Sequence, residues 1–153
     1  MSLAVANVDN SLEQLARLIE TANRTLSLVT RRDVKNVVRR LITESLIVLE
    51  WEVCRLRSPV IDIGSGGGIP GLPIKIARPG LEVTLLDSNR RKTSFLGMAV
   101  EKLGLERVEV IQARAELIVE FSAHRGRYRT VLSRAVGGLG DLLAWSSRLL
   151  VPG

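Results

Sequence analysis

Apolar and polar positions follow one period in the first third of this chain and another in the remainder. Leu12, Leu15, Ala16, Ile19 and Ala22 recur three and four residues apart, which places them on one face of an α-helix. Ser11-Leu12-Glu13-Gln14 in front of them has the form of a capping box, so a first helix is expected from about Ser11. After a polar break at Asn23 to Thr25, Asp33 stands where it can cap a second helix. Its apolar face runs Val34, Val37, Val38, Leu41, Ile42, Ser45, Leu46 and Leu49.

From Ser58 the pattern changes to short β-branched runs, PVIDIG, LEVTLLD, RVEVIQA and YRTVLSRA, separated by helical stretches. That alternation predicts βαβ units and an α/β fold with a doubly wound, mostly parallel sheet. Arg78-Pro79-Gly80 ends the first of these helices, the second starts near Asn89 and stops at Gly104, and a last one runs from Leu139 to Leu150. Residues 1–57 therefore read as a helical N-terminal segment and 58–153 as the α/β core.

Composition adds exclusions. No apolar run approaches the ~18–20 residues that span a bilayer, and the N-terminus lacks the form of a secretory signal, so a cytoplasmic protein without membrane contact is expected. Cys54 and His124 are each the single residue of their kind, which removes the usual zinc sets, so no metal is expected, and disfavours a Ser-His-Asp triad. Cys54 reads as a small buried residue and His124 as a solvated loop residue. Trp51, Phe95, Phe121, Tyr128 and Trp145 fall at positions suited to core packing. Lys and Arg outnumber Asp and Glu 22 to 16, and arginine dominates the bases. Arg31, Arg32, Lys35, Arg39 and Arg40 crowd the start of the second helix, where the helix dipole favours acids. An external anion such as a nucleic-acid phosphate accounts for that placement; a solvated charged surface is the plainer alternative.

The stretch VIDIGSGGGIPGLPIKIA, Val60 to Ala77, concentrates five glycines directly behind the first strand. A strand feeding a bare turn that opens onto a helix lets a ligand meet backbone N–H groups at the carboxyl edge of the sheet. Two registers fit. Gly66, Gly68 and Gly71 match a dinucleotide fingerprint, with its first glycine late and Pro70 inside it. Asp62, Gly64, Gly66 and Gly68 match the pattern of S-adenosyl-L-methionine enzymes, whose cofactor carries a cationic amine and sulfonium and no phosphate. An acid at the turn suits that cation and would be a poor neighbour for a pyrophosphate. Asp87, ending the second strand, can accept ribose hydroxyls in either case. Asp62 can equally serve to tie down N–H groups of the turn.

VIDIGSGGGIPGLPIKIARPGLEVTLLDSNRRKTSFL, followed by VIQARAE and VLSRAV, closely resembles the glucose-inhibited division protein B family, bacterial enzymes that use S-adenosyl-L-methionine to methylate guanine N7 of 16S ribosomal RNA. The resemblance implies a Rossmann-like class I methyltransferase acting on 16S rRNA or the small ribosomal subunit. It implies a cofactor site of Asp62, Gly64, Ser65, Gly66, Gly68, Leu72, Asp87, Ser88, Ala115, Glu116 and Arg134, with Ala113 to Glu116 flanking the adenine and Arg134 facing the substrate as the catalytic residue. The fourth strand lacks the Asn/Asp-Pro-Pro-aromatic motif of amino-directed enzymes and the cysteine of cytosine-C5 enzymes. Guanine N7 offers a free lone pair, so a site with an arginine and no base fits. The family pattern is altered at Ser27-Leu28-Val29, where it has Asn-Leu-Thr, and at Leu41, where it has histidine. A noncatalytic cofactor- or RNA-binding homologue is the alternative. Family members continue past Pro152-Gly153 with three more strands; were the chain to stop there, an open fourth strand and self-association through it would be expected.

Overall fold

The computed structural model describes residues 3–30, 33–50, 55–134 and 136–152. Four parallel strands, β1 (Val60–Ile63), β2 (Val83–Asp87), β3 (Val108–Gln112) and β4 (Thr130–Ser133), form one sheet in the order β3-β2-β1-β4. α1 (Leu3–Leu26) and α2 (Val34–Ile47) precede it, and α3 (Gly71–Ala77), α4 (Arg90–Lys102), α5 (Ala115–Ile118) and α6 (Leu139–Leu149) connect or follow its strands. The chain steps outward from β1 to β2 to β3 and then returns to the other side of β1 with β4, where Val60 faces Thr130. The strand order thus reverses at β1/β4, and a crevice opens at the carboxyl ends of those strands.

Successive strand side chains leave opposite faces of the sheet and feed two apolar layers. Val60, Val83 and Leu85 join Leu15, Ile19, Val38 and Leu41 of α1 and α2 and Leu72 and Phe95 of α3 and α4. Ile61, Ile63 and Leu86 join Ala115, Ile118, Tyr128 and Leu149 on the other face. β1 and β2 are buried along their whole length, which is why they read as mainly apolar runs without the alternation of a half-exposed strand, with Asp62, Thr84 and Asp87 as buried polar exceptions.

Several local expectations are corrected. α1 begins at Leu3, so Ser11 to Gln14 lie inside it; Val8 packs on the core and extends the apolar stripe a turn earlier. Glu13 instead accepts from Arg17 and from Arg39 of α2, and Gln14 reaches the Lys102 carbonyl at the end of α4 (3.4 Å). Asp33 stands at the start of α2 in a left-handed conformation, and its carboxylate accepts from the Asn36 side chain (2.9 Å) instead of a backbone N–H. Asn89 does cap α4, accepting from the Arg91 and Lys92 N–H groups, and Gly104 is left-handed just beyond it. Phe95 and Tyr128 are core residues, whereas Phe121 is exposed. His124 is half-buried against Tyr128, with Nδ1 2.8 Å from the phenol oxygen, and burial lowers its pKa. α6 ends at Leu149, and pairing along the outer side of the β4 segment begins at once: Tyr128 N–H donates to Leu149 O and Val151 N–H to Tyr128 O. This is an isolated parallel bridge between Tyr128 and Leu150, outside the four strands. The expectations for Trp51 and Cys54, and the Arg31 and Arg32 members of the basic cluster, fall outside the described residues.

Candidate functional site

The loop after β1 is held by glycine geometry. Gly64, Gly66 and Gly68 have φ of 73°, 56° and 83°, a region that residues with a Cβ enter at a cost. A Cβ at Gly64 would also fall 2.0 Å from Val136 Cγ2, so the segment after β4 packs straight onto bare loop backbone.

Asp62 lies beneath this loop, fully buried. Its Oδ2 accepts from the Gly71 N–H (3.1 Å), and the Ser65 hydroxyl donates to its backbone carbonyl (2.8 Å). The carboxylate therefore occupies the start of α3, while the Leu72 and Ile74 N–H groups bond to the Gly68 and Pro70 carbonyls. A pyrophosphate would need that same helix start, so the Gly66-Gly68-Gly71 register and the nicotinamide dinucleotide alternative are set aside. Asp62 Oδ1 has no partner among the described residues. Burial pushes its carboxyl from 3.8 up to about 7, against the downward pull of the Gly71 N–H and the Arg134 charge, with Asp87 adding to the rise.

A cleft of about 640 Å³ opens above Asp62 at the β1/β4 reversal. Gly64, Ser65, Gly66, Asp87, Ser88, Ala115, Glu116 and Arg134 line it, so most of the candidate residues share one wall system. Three candidates sit beneath it: Asp62, Gly68 and Leu72 do not reach the cleft, and Leu72 is wholly buried under Gly68. Asp87 is nearly buried and binds the loop to β2, its Oδ2 accepting from Gly66 N–H and its Oδ1 from Asn89 N–H (2.9 Å each). Each oxygen keeps a second lone pair for a ligand. Arg114 pairs with Glu116 (3.5 Å) at the exposed rim.

Arg134 follows β4 and is exposed; its Nε reaches the Ile69 carbonyl at 3.5 Å, and no carboxylate pairs with it among the described residues. The opposite wall comes from the N-terminal helices and their connection: Leu28, Val29, Val37, Leu41 and Arg40. The two places where the sequence departs from the family pattern thus stand on the cleft wall. Of the basic cluster on α2, Arg39 bridges Glu13 and Glu20 of α1 and Arg40 pairs with Glu44, so these two carry internal partners. Sequence reasoning missed Lys92 and Trp145 on the cleft. Trp145 was hidden by the amphipathic spacing of α6, which assigned every apolar residue to the core.

The chain matches the family model described as GidB, rRNA small subunit methyltransferase G, over residues 8–153. It is 38% identical over 148 residues to the ribosomal RNA small subunit methyltransferase G of Rubrobacter xylanophilus, covering 94% of this chain and 57% of that protein. The proteins of the same name from Neisseria meningitidis serogroup C and Clostridium novyi are 35% and 31% identical, over 89% and 93% of this chain and 62% of each relative. The chain therefore spans roughly three fifths of these relatives' length. Its fold is similar to a putative S-adenosyl-L-methionine-dependent methyltransferase from Methanococcus maripaludis (TM-score 0.60, 16% identity, 88% of this chain and 57% of that one). It is also similar to a SAM-dependent methyltransferase from Thiobacillus denitrificans in complex with S-adenosyl-L-homocysteine (TM-score 0.56, 22% identity, 89% and 50%).

Proposed function

The chain belongs to the GidB family of rRNA small subunit methyltransferases G, and from that premise we propose that it binds S-adenosyl-L-methionine in the β1/β4 cleft and methylates guanine N7 of 16S ribosomal RNA in the cytoplasm. One observation carries the cofactor assignment: a wholly buried carboxylate, Asp62, lies under the glycine loop with Oδ1 unpartnered among the described residues. A buried acid with one oxygen unpartnered is costly, and a cationic ligand in the cleft above would relieve that cost through water. The Asp87 oxygens, already oriented by two backbone N–H groups, suit ribose hydroxyls. Ala115 and Glu116 stand where the adenine would be flanked, with Ser65 and Ser88 polar on the same wall.

When bound, the cofactor supplies a methyl on a sulfonium: the N7 lone pair forms the new N–C bond, the S–C pair returns to sulfur, and a thioether and a cationic 7-methylguanine remain. The protein's part is orientation, since N7 carries no proton to remove. Arg134 would supply a cation for guanine O6 or a phosphate, with no salt-bridge partner among the described residues. Residues 58–153 would carry the cofactor and residues 1–57 close the acceptor side. Titration calorimetry with S-adenosylhomocysteine tests the cofactor site, and transfer of labelled methyl to small subunits or naked 16S rRNA tests the acceptor. The second reading, a noncatalytic homologue, draws on Leu28, Val29 and Leu41 making the N-terminal wall apolar; turnover disposes of it. Pairing of a second copy along β4 is read from sedimentation at several protein concentrations.

A further inference from the structure

We propose that Trp145 is the platform on which the acceptor guanine stacks, a role that rests on the methyltransferase function proposed above. Trp145 lies on α6 and is half-buried: it packs with Leu142 against the apolar layer of Tyr128 and Leu149, and it lines the same cleft as Arg134 and Val136. Other large apolar residues of the same helix, Leu139 and Leu143, point away and are exposed, so the indole is the aromatic surface α6 gives to the cleft. Gly137 is left-handed, and a Cβ there would meet the far edge of the indole at 3.5 Å from Cη2. The loop carrying Arg134 is therefore seated on that ring on one side and, through Val136, on Gly64 on the other.

The chemistry of the acceptor asks for such a surface. Arginine ordinarily reads guanine with a fork on O6 and N7 together. Here N7 is the nucleophile and its lone pair must stay free, so Arg134 is limited to O6 or a phosphate. One contact leaves the base free to swing about it. An aromatic face removes that freedom, because stacking fixes the plane of the base and the N7 lone pair lies in that plane. Single-stranded RNA bases are commonly held this way, on aromatic side chains. Placement on α6, with the indole against Gly137 in the segment that follows β4 and Arg134, favours the guanine over the cofactor's adenine, whose ribose anchor Asp87 lies at the end of β2, beyond β1.

The test uses the protein saturated with S-adenosylhomocysteine and a single-stranded trinucleotide carrying one guanosine, followed by tryptophan fluorescence. The chain has two tryptophans, so Trp145→Phe supplies the Trp51 background. Binding of the trinucleotide should quench the wild type and leave that background unchanged. Trp145→Leu, which keeps the bulk that supports the Gly137 turn, should weaken trinucleotide binding about tenfold or more, raise the acceptor KM and lower kcat as the base loses its fixed plane, and leave the S-adenosylhomocysteine Kd unaltered. Trp145→Phe should restore the affinity. Unaltered trinucleotide affinity in the leucine variant overturns the proposal, as does quenching produced wholly by S-adenosylhomocysteine, or cofactor and acceptor affinities that fall together. A wild type that binds no S-adenosylhomocysteine refutes the function proposed above, and this role with it. A wild type that binds it normally while ignoring the trinucleotide refutes this role alone.

Discussion

Replacing Asp62 by asparagine should abolish a pH dependence of stability that the wild-type protein carries between pH 4 and 7. The folded carboxyl holds its proton up to about 7, whereas the unfolded chain releases it near 3.8. Within that interval the folded state binds more protons than the unfolded one, so stability is complete at the acid end and is lost as pH rises toward 7. At about 1.4 kcal/mol per pH unit the interval amounts to ~4 kcal/mol. Asparagine keeps an oxygen for the Gly71 N–H and cannot ionise. Urea unfolding of the ligand-free protein at pH 4, 5, 6, 7 and 8 should therefore show the two proteins close together at pH 4, the variant ahead by about 1.5 kcal/mol at pH 5 and by a few kcal/mol at pH 8. His124, lowered by burial, gives a slope of opposite sign near its ordinary 6.5, but both proteins carry it and it cancels in the difference. Glu13 and Glu120 are held low by hydrogen bonds from arginines, so their contribution is lost only on acidification below this window. Parallel pH curves for wild type and Asp62→Asn would refute the claim that burial of this acid outweighs the Gly71 hydrogen bond and the Arg134 charge.

Asp87→Ala leaves the Gly66 and Asn89 N–H groups without their acceptor; calorimetry should find S-adenosylhomocysteine affinity down by at least about tenfold, since loop geometry and the ribose contact are lost together. Gly64→Ala, with φ 73° and a contact of 2.0 Å to Val136, should cost ~3 kcal/mol or more by urea unfolding. Gly104→Ala, at φ 60° with nothing near the added methyl, should cost only ~1–2 kcal/mol. Lys75 is buried and donates to the Pro79 and Leu81 carbonyls behind α3. Lys75→Met should lower stability by ~2–3 kcal/mol while S-adenosylhomocysteine affinity stays constant, which separates a structural lysine from the site.

The strands, their parallel sense and the glycine turn behind the first of them were legible in the sequence because each rests on local chemistry. A buried strand is predominantly apolar, a tight left-handed turn favours glycine, and Asp62 and Asp87 are placed by the ends of the strands that carry them. Ser11 and Asp33 show where local signals fail: each has a capping residue's chemistry, but a stripe extended by Val8 and a side-chain bond to Asn36 took precedence. The sequence also determined that acids and arginines would be plentiful, without saying which would meet. Only the fold paired Arg39 with two acids of α1 and left Arg134 without a salt-bridge partner among the described residues. It alone brought Leu28, Leu41 and Trp145 to one opening, from α2, α6 and the connection after α1. Helical periodicity assigns a residue to a face; whether that face meets a core or a cleft depends on packing between segments distant in the chain, which no local pattern encodes.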